Sequence, residues 1–581
     1  MQPVDYTTLI ASCCELRSNW LPARLEQVYQ RDRFTISLAL RTLKGRAWLD
    51  ISWHPQAARI CISTPPPRVP DTFTFSDQLR HQLSGLALVD IAEVAPWERV
   101  LDLQFAKRPG EPALWHLYVE IMTKYSNVIL TGKDNLIVTA AHQVSSQQSS
   151  VRPIQTGDRY ELPPGLTDPI PKLEEPLEKW QERVSLIPDL LKRQLMKSYR
   201  GLSSTLALGL MAEANLESDR TTDSLNNGEW EKLFQQWRQW LTALETGTFE
   251  PVWTATGYSV LGLGKIGESP GKVQELLNEY YTEELNGQEF RQLQHQISQK
   301  LQTLLKKLGV KLAEFNQRLQ QSEKADLYRS QADLLMANLH EWKPGMKSIT
   351  LADFETSAPV KIPLEPEKNA VQNAQGLYKR HQKLKRARMA IAPLIKAVRE
   401  EINYLEQVEA ALSQVANYRK PADLQNLKEI RGELIEEGYL TIPDYRPHNL
   451  GTGTETEFYR YVTPGGFELL VGRNNQQNDR LTFRVATDYD LWFHTQEIPG
   501  SHALLRLPPG QVADDHDLQF TANITAYYSR ARQSEQVPVI YTQPKYVYKP
   551  KGAKPGMVIY KHEQVLWGVP QQAIALLGRD G

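Results

Sequence analysis

The sequence predicts a multidomain α+β protein in which two α/β domains flank a helical middle. Three observations predict this class. Short segments of alternating apolar and polar residues fill both ends of the 581-residue chain. Two heptad seams occupy its middle, and stretches rich in proline and glycine separate these parts. A chain of this length accommodates about three to five domains.

Charge and cysteine content exclude several classes of protein. The formal net charge is -1, so any contact with nucleic acid must come from local cationic patches. The three cysteines form no C-x-x-C spacing, which excludes a disulfide scaffold or a cysteine zinc finger and suits a reducing cytosol. The chain contains neither a signal-peptide pattern nor an apolar run of about eighteen residues. We therefore expect a cytoplasmic protein without a membrane span.

Residues 1–170 predict the first α/β domain. A helix at 6–16 precedes strands at 25–29, 33–40, 46–52 and 59–63, and a helix at 76–83 precedes four more. The predicted later strands lie at 100–105, 114–121, 127–130 and 136–141. A stretch at 152–171, rich in proline and glycine, is typical of an exit linker.

Residues 171–285 predict a helical domain. An amphipathic helix is expected at 184–199, followed by a turn at Gly201 and an N-cap at Ser203 or Ser204 for a helix at 206–214. Helix, short glycine turn and helix is the outline of a helix-hairpin-helix. An ordinary α-hairpin is the alternative.

Residues 286–430 predict a long antiparallel coiled-coil hairpin, with a proline-containing turn region at about 342–367. Two arms of roughly 55 residues would each extend about 80 Å. A parallel dimer through one seam is the alternative. Apolar residues at heptad spacing define the two seams: Ile297, Leu301, Leu305, Leu308, Leu312, Phe315 and Leu319, and then Leu394, Val398, Ile402, Leu405, Val408, Leu412 and Val415.

Residues 431–581 predict a last α/β domain. A hairpin turns at 464–466, and further strands are expected at 481–486, 491–494, 503–507, 537–541 and 545–549. A helix at 518–532 would have aspartates at its start and Arg530 and Arg532 at its end, in agreement with the helix dipole.

Dense polar loops within 465–506 allow two interpretations. One is a catalytic or metal site around Asp488, Asp490, His494 and His502, in which the two histidines share a metal with Asp490. The other is a rigid surface that binds a polyanion, with the histidines as hydrogen-bonded strand ends. The sequence has no phosphate loop, nucleophile elbow or H-E-x-x-H helix. We therefore expect a binding protein rather than an enzyme, with no cofactor and no metal.

Charge segregation favours RNA as the partner. Residues 368–399 contain nine lysines or arginines and no acidic residue. A second acid-free block, 536–562, interleaves five lysines with tyrosines. Cations neutralise phosphates, and tyrosine rings stack on bases or sugars. A solvated helix face is the alternative for any single basic run.

Several motifs resemble those of the NFACT family, and the likeness covers nearly the whole chain. In the first domain these are Glu120-Ile121-Met122 and Ser126-Asn127. In the coiled coil they are Asn373-Ala374-Gln375, Tyr378-Lys379 and Lys383-Leu384-Lys385. In the last domain they are Gly472-Arg473-Asn474-Asn475 with Asn478-Asp479, Asp490-Leu491-Trp492-Phe493-His494, Pro499-Gly500-Ser501-His502 and Gly552-Ala553-Lys554-Pro555-Gly556.

The resemblance implies four domains: NFACT-N, helix-hairpin-helix, coiled-coil hairpin and the RNA-binding NFACT-R. It also implies a ribosome-associated quality control factor of the bacterial type. Such a factor binds the large (50S) ribosomal subunit that still holds peptidyl-tRNA, recruits alanine tRNA, and supports template-free alanine tailing of the stalled chain for degradation. A second small RNA-binding quality-control factor is a further expected partner. Peptide-bond chemistry belongs to ribosomal RNA.

The resemblance also implies site residues. An acid–arginine pair at Glu98 and Arg99 is expected to engage tRNA, with glutamate where the family has aspartate; a surface ion pair is the alternative. The remaining tRNA-binding residues are Glu120, Ile121 and Met122. The expected RNA- or ribosome-binding residues are Lys379, Arg380, Lys383, Lys385, Arg386, Arg473, Asn474, Asn475, Asp490, Trp492, His494, His502, Lys545, Lys549 and Lys554.

Two other functions compete. A cell-surface fibronectin-binding adhesin would need export, for which no signal is present. The first domain also resembles that of formamidopyrimidine DNA glycosylases, which need an N-terminal proline beside a glutamate. Here Gln2 follows Met1, proline is third, and Val4 replaces the acid, so this enzyme activity is not expected.

Overall fold

The computed structural model describes residues 1–67, 69–149, 151–165, 168–441 and 457–577. The chain forms two compact units, Met1–Leu285 (the first unit) and Asn286–Gly581 (the second unit). Each unit contains two of the predicted domains, and the predicted domain boundaries stay predictions. Parts of the predicted linker (166–167) and of the predicted last domain (442–456 and 578–581) lie outside the described residues.

The first unit begins with a sheet domain. Within its described residues a nine-stranded antiparallel sheet has the order β4-β3-β2-β1-β5-β6-β7-β8-β9. Helix α1 starts where Asp5 accepts a hydrogen bond from the Thr8 amide at 2.8 Å, and it buries Leu9 and Leu16 in the core beneath the sheet. The elements are α1 Tyr6–Trp20, β1 Ala23–Asp32, β2 Thr35–Thr42, β3 Gly45–Ser52, β4 Arg59–Ser63, α2 Thr74–Leu83, β5 Ala87–Glu93, β6 Val100–Ala106, β7 Trp115–Glu120, β8 Asn127–Gly132 and β9 Ile137–Ala140.

A helical domain completes the first unit: α3 Leu177–Ser185, α4 Leu191–Ser198, α5 Ser204–Glu213, α6 Asn227–Thr246, β10 Val252–Thr254 and β11 Gly257–Ser259. The single helix predicted at 184–199 is wrong. It is interrupted before α4, because Pro188 has no amide hydrogen and disfavours helical backbone at the residue before it.

The predicted turn between α4 and α5 is confirmed. Gly201 has φ of +82°, and an added Cβ would lie 2.4 Å from the Trp97 ring, so the turn requires glycine there. Ser203 is the N-cap of α5 and accepts from the Leu206 amide at 3.0 Å.

The predicted antiparallel hairpin is confirmed by α7 Val273–Glu323, α8 Ala325–Ala337 and α9 Ala370–Gln414. Gln294, just before the first seam residue Ile297, donates to the Val415 carbonyl at 2.8 Å. One seam assignment is wrong, because Leu394 is 48% exposed whereas Ile395 is 5% exposed. Core residues of a heptad follow one another at steps of three or four residues, so both positions fit the pattern. In the structure, Ile395, three residues before Val398, takes the core position instead of Leu394, four residues before it.

The turn region between the arms contains more structure than predicted. Strands β12 Ser348–Ala352 and β13 Pro359–Pro363 pair as a hairpin. Ile349, Leu351 and Ile362 pack with Leu335 of α8 and Ala374 of α9 in one small core. The end of the coiled coil is therefore a packed subdomain.

The rest of the second unit contains a six-stranded sheet of order β14-β15-β17-β16-β18-β21 among the described strands. Helix α12 (Asp515–Tyr527) packs on one face through Ala522 and Ile524. Residues 430 and 431, between which a domain boundary is predicted, both lie inside helix α10 (Pro421–Glu436). The elements are α10 Pro421–Glu436, β14 Tyr459–Val462, β15 Glu468–Val471, α11 Asn475–Arg480, β16 Leu491–Thr495, β17 Ala503–Leu505, α12 Asp515–Tyr527, β18 Val537–Thr542, β19 Val547–Tyr548, β20 Ile559–Tyr560, β21 Gln564–Gly568 and α13 Pro570–Leu577.

The strand predicted at 481–486 is wrong, since these residues continue α11 as a π-helical turn, Leu481–Val485. Asn474 caps α11 by accepting from the Gln477 amide at 2.9 Å. The Thr482 hydroxyl donates to the Asn478 carbonyl at 2.8 Å, which extends the helical turn through an apolar segment. Local capping therefore overrides the strand-like composition.

Two further predictions in this domain need correction. Helix α12 ends at Tyr527, and Arg530 beyond it pairs with Glu406 at 2.9 Å instead of complementing the helix dipole. The strand predicted at 545–549 shrinks to Val547–Tyr548, because Pro544 starts a short 3₁₀ turn. Within the described residues, every helix is too short or too polar to cross a bilayer.

Candidate RNA interface

In the first unit, the two segments expected to engage tRNA meet at one edge of the sheet. Arg99 and Glu120 lie at the adjoining ends of β6 and β7, where the Ile121 amide donates to the Arg99 carbonyl at 2.9 Å. Both segments are therefore presented side by side, as a common tRNA contact requires.

Glu98 and Arg99 do not form the surface ion pair considered as the alternative. The Glu98 carboxylate pairs with Arg200 at 3.4 Å, whereas Arg99 donates from Nη1 to the Val4 carbonyl at 3.1 Å. Burial lowers the pKa of the Arg99 guanidinium, and the negative charges of Asp5 and Glu98 oppose this effect. Glu98 thus contacts Arg200, next to the helix-hairpin turn at Gly201, and its engagement of tRNA stays a prediction.

Glu120 is buried and fully engaged. It accepts from Nη1 of Arg152 at 3.0 Å and from the Tyr160 hydroxyl at 2.9 Å. Ile121 is buried as well, while Met122 is half-buried. Direct tRNA contact by Glu120 and Ile121 stays a prediction, and their burial favours a role in holding this edge of the sheet.

An exposed cationic face of α9, here called the basic arm, consists of Lys379, Arg380, Lys383, Lys385 and Arg386. All five side chains are exposed. The opposite side of the helix is buried through Leu377 and His381, whose ring contacts the Ala325 carbonyl at 2.9 Å. Among the described residues, no carboxylate pairs with any of the five. The basic arm therefore presents its full charge to a polyanion.

The polar motifs of the second unit lie inside it. Arg473, Asn474, Asn475, Asp490, Trp492, His494 and His502 are all buried. Asn474 donates to Glu429 at 2.7 Å and Asn475 donates to Glu433 at 3.0 Å, which fastens α11 onto α10. Their direct contact with RNA stays a prediction, and their geometry favours a positioning role.

The two histidines belong to an internal hydrogen-bond network. The Thr482 hydroxyl lies 2.7 Å from Nδ1 of His502 and accepts from the Trp492 indole at 3.0 Å. Burial lowers the pKa of His494 to about 4 and that of His502 well below its ordinary value. Both rings are therefore neutral near pH 7.

Asp490 has structural partners too. It accepts from the Thr487 and Leu507 amides at 2.8 and 3.0 Å and lies 3.3 Å from the Arg506 guanidinium. In the described part of the chain, no group of three or more histidine, cysteine, aspartate or glutamate side chains is arranged to hold a metal ion.

The lysines of the second acid-free block differ in availability. Lys545 is exposed and lies 5.1 Å from the Tyr546 ring centroid. Lys549 pairs with Asp479. Lys554 lies 4.1 Å from the Tyr439 ring centroid and 3.6 Å from Glu437, so its charge is largely used within the unit. Of these three lysines, Lys545 is the one for which no ion pair is present among the described residues.

Sequence reasoning missed a buried carboxylate beneath these motifs. Glu433 accepts from the Tyr404 hydroxyl at 2.7 Å and from Asn475. Burial raises its pKa to about 7. The signal available in the sequence was its position, three residues after Ile430 and next to Leu434 on the apolar face of a helix.

The fold defines a multidomain α+β protein, with a sheet domain, a helical domain, a coiled-coil arm that has a basic face, and a second sheet domain with internally bonded polar motifs. The chain belongs to the NFACT family. The family model for NFACT N-terminal and middle domains matches residues 5–449, and the model for the NFACT protein RNA binding domain matches residues 457–562. The family predicted from the motifs is thereby confirmed.

Relatives of similar length support this assignment. The chain is 29% identical over 577 residues to the Rqc2 homolog RqcH of Bacillus subtilis (strain 168). It is 31% identical over 571 residues to the Rqc2 homolog RqcH of Streptococcus suis (strain 05ZYH33). Each alignment covers 96% of both chains.

The chain is also similar to a solved structure, the C-terminal part of a fibronectin/fibrinogen-binding protein from Streptococcus suis. The two are 32% identical with a TM-score of 0.37, and the match covers 48% of this chain and 95% of that one.

Proposed function

We propose that this chain is a cytoplasmic ribosome quality control factor that binds the large ribosomal subunit while peptidyl-tRNA is still attached. Membership of the NFACT family and likeness to RqcH proteins over 96% of the chain support this role. The structural observation that carries the proposal is the basic arm, because its five exposed cations have no acidic partner in the described part of the chain and are suited to ribosomal RNA.

The finer proposal concerns tRNA. The factor recruits alanine tRNA and supports template-free addition of alanine to the stalled chain, which is then degraded. The sheet edge formed by Arg99 and Met122 holds the tRNA, and a second small RNA-binding quality-control factor assists. The protein is not itself an enzyme: its contribution is to hold reactants in position, while ribosomal RNA makes the peptide bond.

Charge reversal in the basic arm tests the ribosome contact. A triple variant, Lys383→Glu, Lys385→Glu and Arg386→Glu, should weaken association with purified large subunits and flatten its dependence on salt concentration. Each lost phosphate contact lowers the slope of log K against log salt by about 0.7 to 0.9. Sedimentation with subunits over a series of salt concentrations measures both quantities.

The matched control changes the same number of exposed charges elsewhere. Lys107, Arg108 and Lys133 are exposed in the first unit, and their replacement by glutamate should leave the salt slope nearly unchanged. An unchanged slope in the basic-arm variant would exclude this face as a contact.

Sequencing the RNA that copurifies with the protein from cells with stalled ribosomes tests the finer proposal. Large-subunit RNA and alanine tRNA should dominate. A preparation free of ribosomal RNA, at low ionic strength and under stalling conditions, would contradict the proposed function.

A further inference from the structure

A groove of about 510 Å³ lies beside α11 in the second unit. This volume falls within the range of about 300 to 1,000 Å³ that is typical of small-ligand pockets. Its lining includes Glu436, Asp479, Phe483, Arg484 and Lys549. Helix α11, which Asn474 caps, lines the groove through Gln476, Gln477 and Asp479.

The π-helical turn after α11 places two side chains at this groove. Leu481 and Thr482 point into the unit and are buried, whereas Phe483 is 41% exposed and Arg484 is exposed. π-Helical turns often occur at functional sites, because the extra residue redirects neighbouring side chains. Here the turn brings an aromatic ring and a guanidinium to one surface.

The charges of the groove are mostly paired. Lys549 pairs with Asp479, and Glu436 accepts from the Gln476 amide group at 3.1 Å. Among the described residues, Arg484 has neither an ion pair nor a side-chain hydrogen bond. Its guanidinium is therefore available to an anionic group of a ligand.

The balance of charge argues against a general phosphate-binding surface. Among the described residues, the lining contains three acidic and three basic side chains: Glu429, Glu436, Asp479, Arg480, Arg484 and Lys549. A stacking ring, one available cation and carboxylate acceptors together match a nucleotide, whose base has a planar face and amino donors and whose phosphate is anionic.

We propose, on the basis of the RNA-binding function proposed above, that this groove binds one unpaired nucleotide of an RNA chain. The base stacks on Phe483, the phosphate lies at Arg484, and Glu436 accepts from base amino groups. The nucleotide must be unpaired, because a base inside a helix has no free face to stack.

Fluorescence anisotropy with the full-length protein and a short, unstructured, labelled RNA of mixed sequence tests this site. Phe483→Ala should weaken binding by about 5- to 100-fold without changing the salt slope, because stacking is not electrostatic. Phe483→Tyr should bind within about 2-fold of the wild type, since the ring is kept. Tyr489→Ala is the matched control, because Tyr489 is 58% exposed and lies outside the groove lining.

Arg484→Ala should weaken binding and lower the salt slope by about 0.7, the value for one phosphate contact of a single strand. The exposed Arg460, which pairs with Glu468 at 2.7 Å, provides the charge-matched control Arg460→Ala. Because Arg484 is exposed, this variant tests the site even if Phe483→Ala unfolds.

The outcomes separate the two proposals. The nucleotide site is wrong if Phe483→Ala and Arg484→Ala both bind the RNA with wild-type affinity and salt slope while the basic-arm variant loses binding. That result would leave the proposed RNA-binding function in place. A wild-type protein that binds neither the RNA nor ribosomal particles would overturn the proposed function itself.

Discussion

Replacing Glu433 by glutamine should remove a pH dependence from the stability of the second unit. Glu433 is 2% exposed, and a single oxygen of its carboxyl group accepts from both Tyr404 and Asn475. Burial raises its pKa from an ordinary 4.5 to about 7, although the two hydrogen bonds oppose this rise. The folded protein therefore holds a proton on Glu433 more tightly than the unfolded chain does.

The sign and size of the effect follow from this difference in pKa. Between about pH 4.5 and pH 7 the folded state binds more protons than the unfolded state, so the free energy of unfolding falls as the pH rises. At about 1.4 kcal/mol per pH unit, the full loss is about 3 kcal/mol. Most of it, about 2 to 3 kcal/mol, should occur between pH 5 and pH 8.

Urea unfolding of the wild type and Glu433→Gln at pH 5, 6, 7 and 8 measures this loss. Glutamine keeps an oxygen that can accept from Tyr404 and Asn475, so the variant should gain stability relative to the wild type as the pH rises. Glu436→Gln makes the same chemical change on the exposed side of α10 and serves as the control. If the free energies of unfolding of the wild type and Glu433→Gln differ by the same amount at every pH from 5 to 8, the pKa of Glu433 is not raised.

The remaining predictions concern buried polar groups. Glu120→Ala should lower the free energy of unfolding of the first unit by about 3 to 5 kcal/mol, because it leaves the Arg152 side chain, only 13% exposed, without its carboxylate partner. A loss below about 1 kcal/mol in chemical denaturation would show that the pair is not needed for stability. His494, whose pKa burial lowers to about 4, should show constant ring-carbon NMR shifts between pH 5.5 and pH 8. A titration midpoint near 6.5 would mean that water reaches this ring.

The fold was predictable wherever one local pattern was sufficient. Heptad spacing predicted the two long helices, and alternation predicted most strands to within a few residues. The segment 481–486 failed because its apolar and β-branched composition suits a strand, whereas the Asn474 cap and the Thr482 hydroxyl bond extend a helical turn. The choice of Leu394 over Ile395 failed for a related reason, since both positions border the seam and only the facing helix decides between them.

The candidate site was predictable in composition more than in placement. The basic arm was recognisable because an acid-free run on a helix with one apolar face must expose most of its cations. The motif residues at 473–475 and 490–502 were recognisable as important, but their burial was not. Whether an asparagine or histidine contacts a ligand or a neighbouring helix depends on which distant segment packs against it.

The sequence alone indicated the family, the two long helices of the coiled coil and the cationic face of α9, because motif identity, heptad spacing and charge runs are properties of neighbouring residues. The antiparallel pairing of those helices came from the structure. Only the tertiary structure decided that Glu433 and the histidines are internal partners, and that Phe483 and Arg484 reach the surface together. Burial and electrostatic environment arise from contacts between segments far apart in the chain, such as Tyr404 with Glu433 and Asn475. No local pattern specifies those contacts.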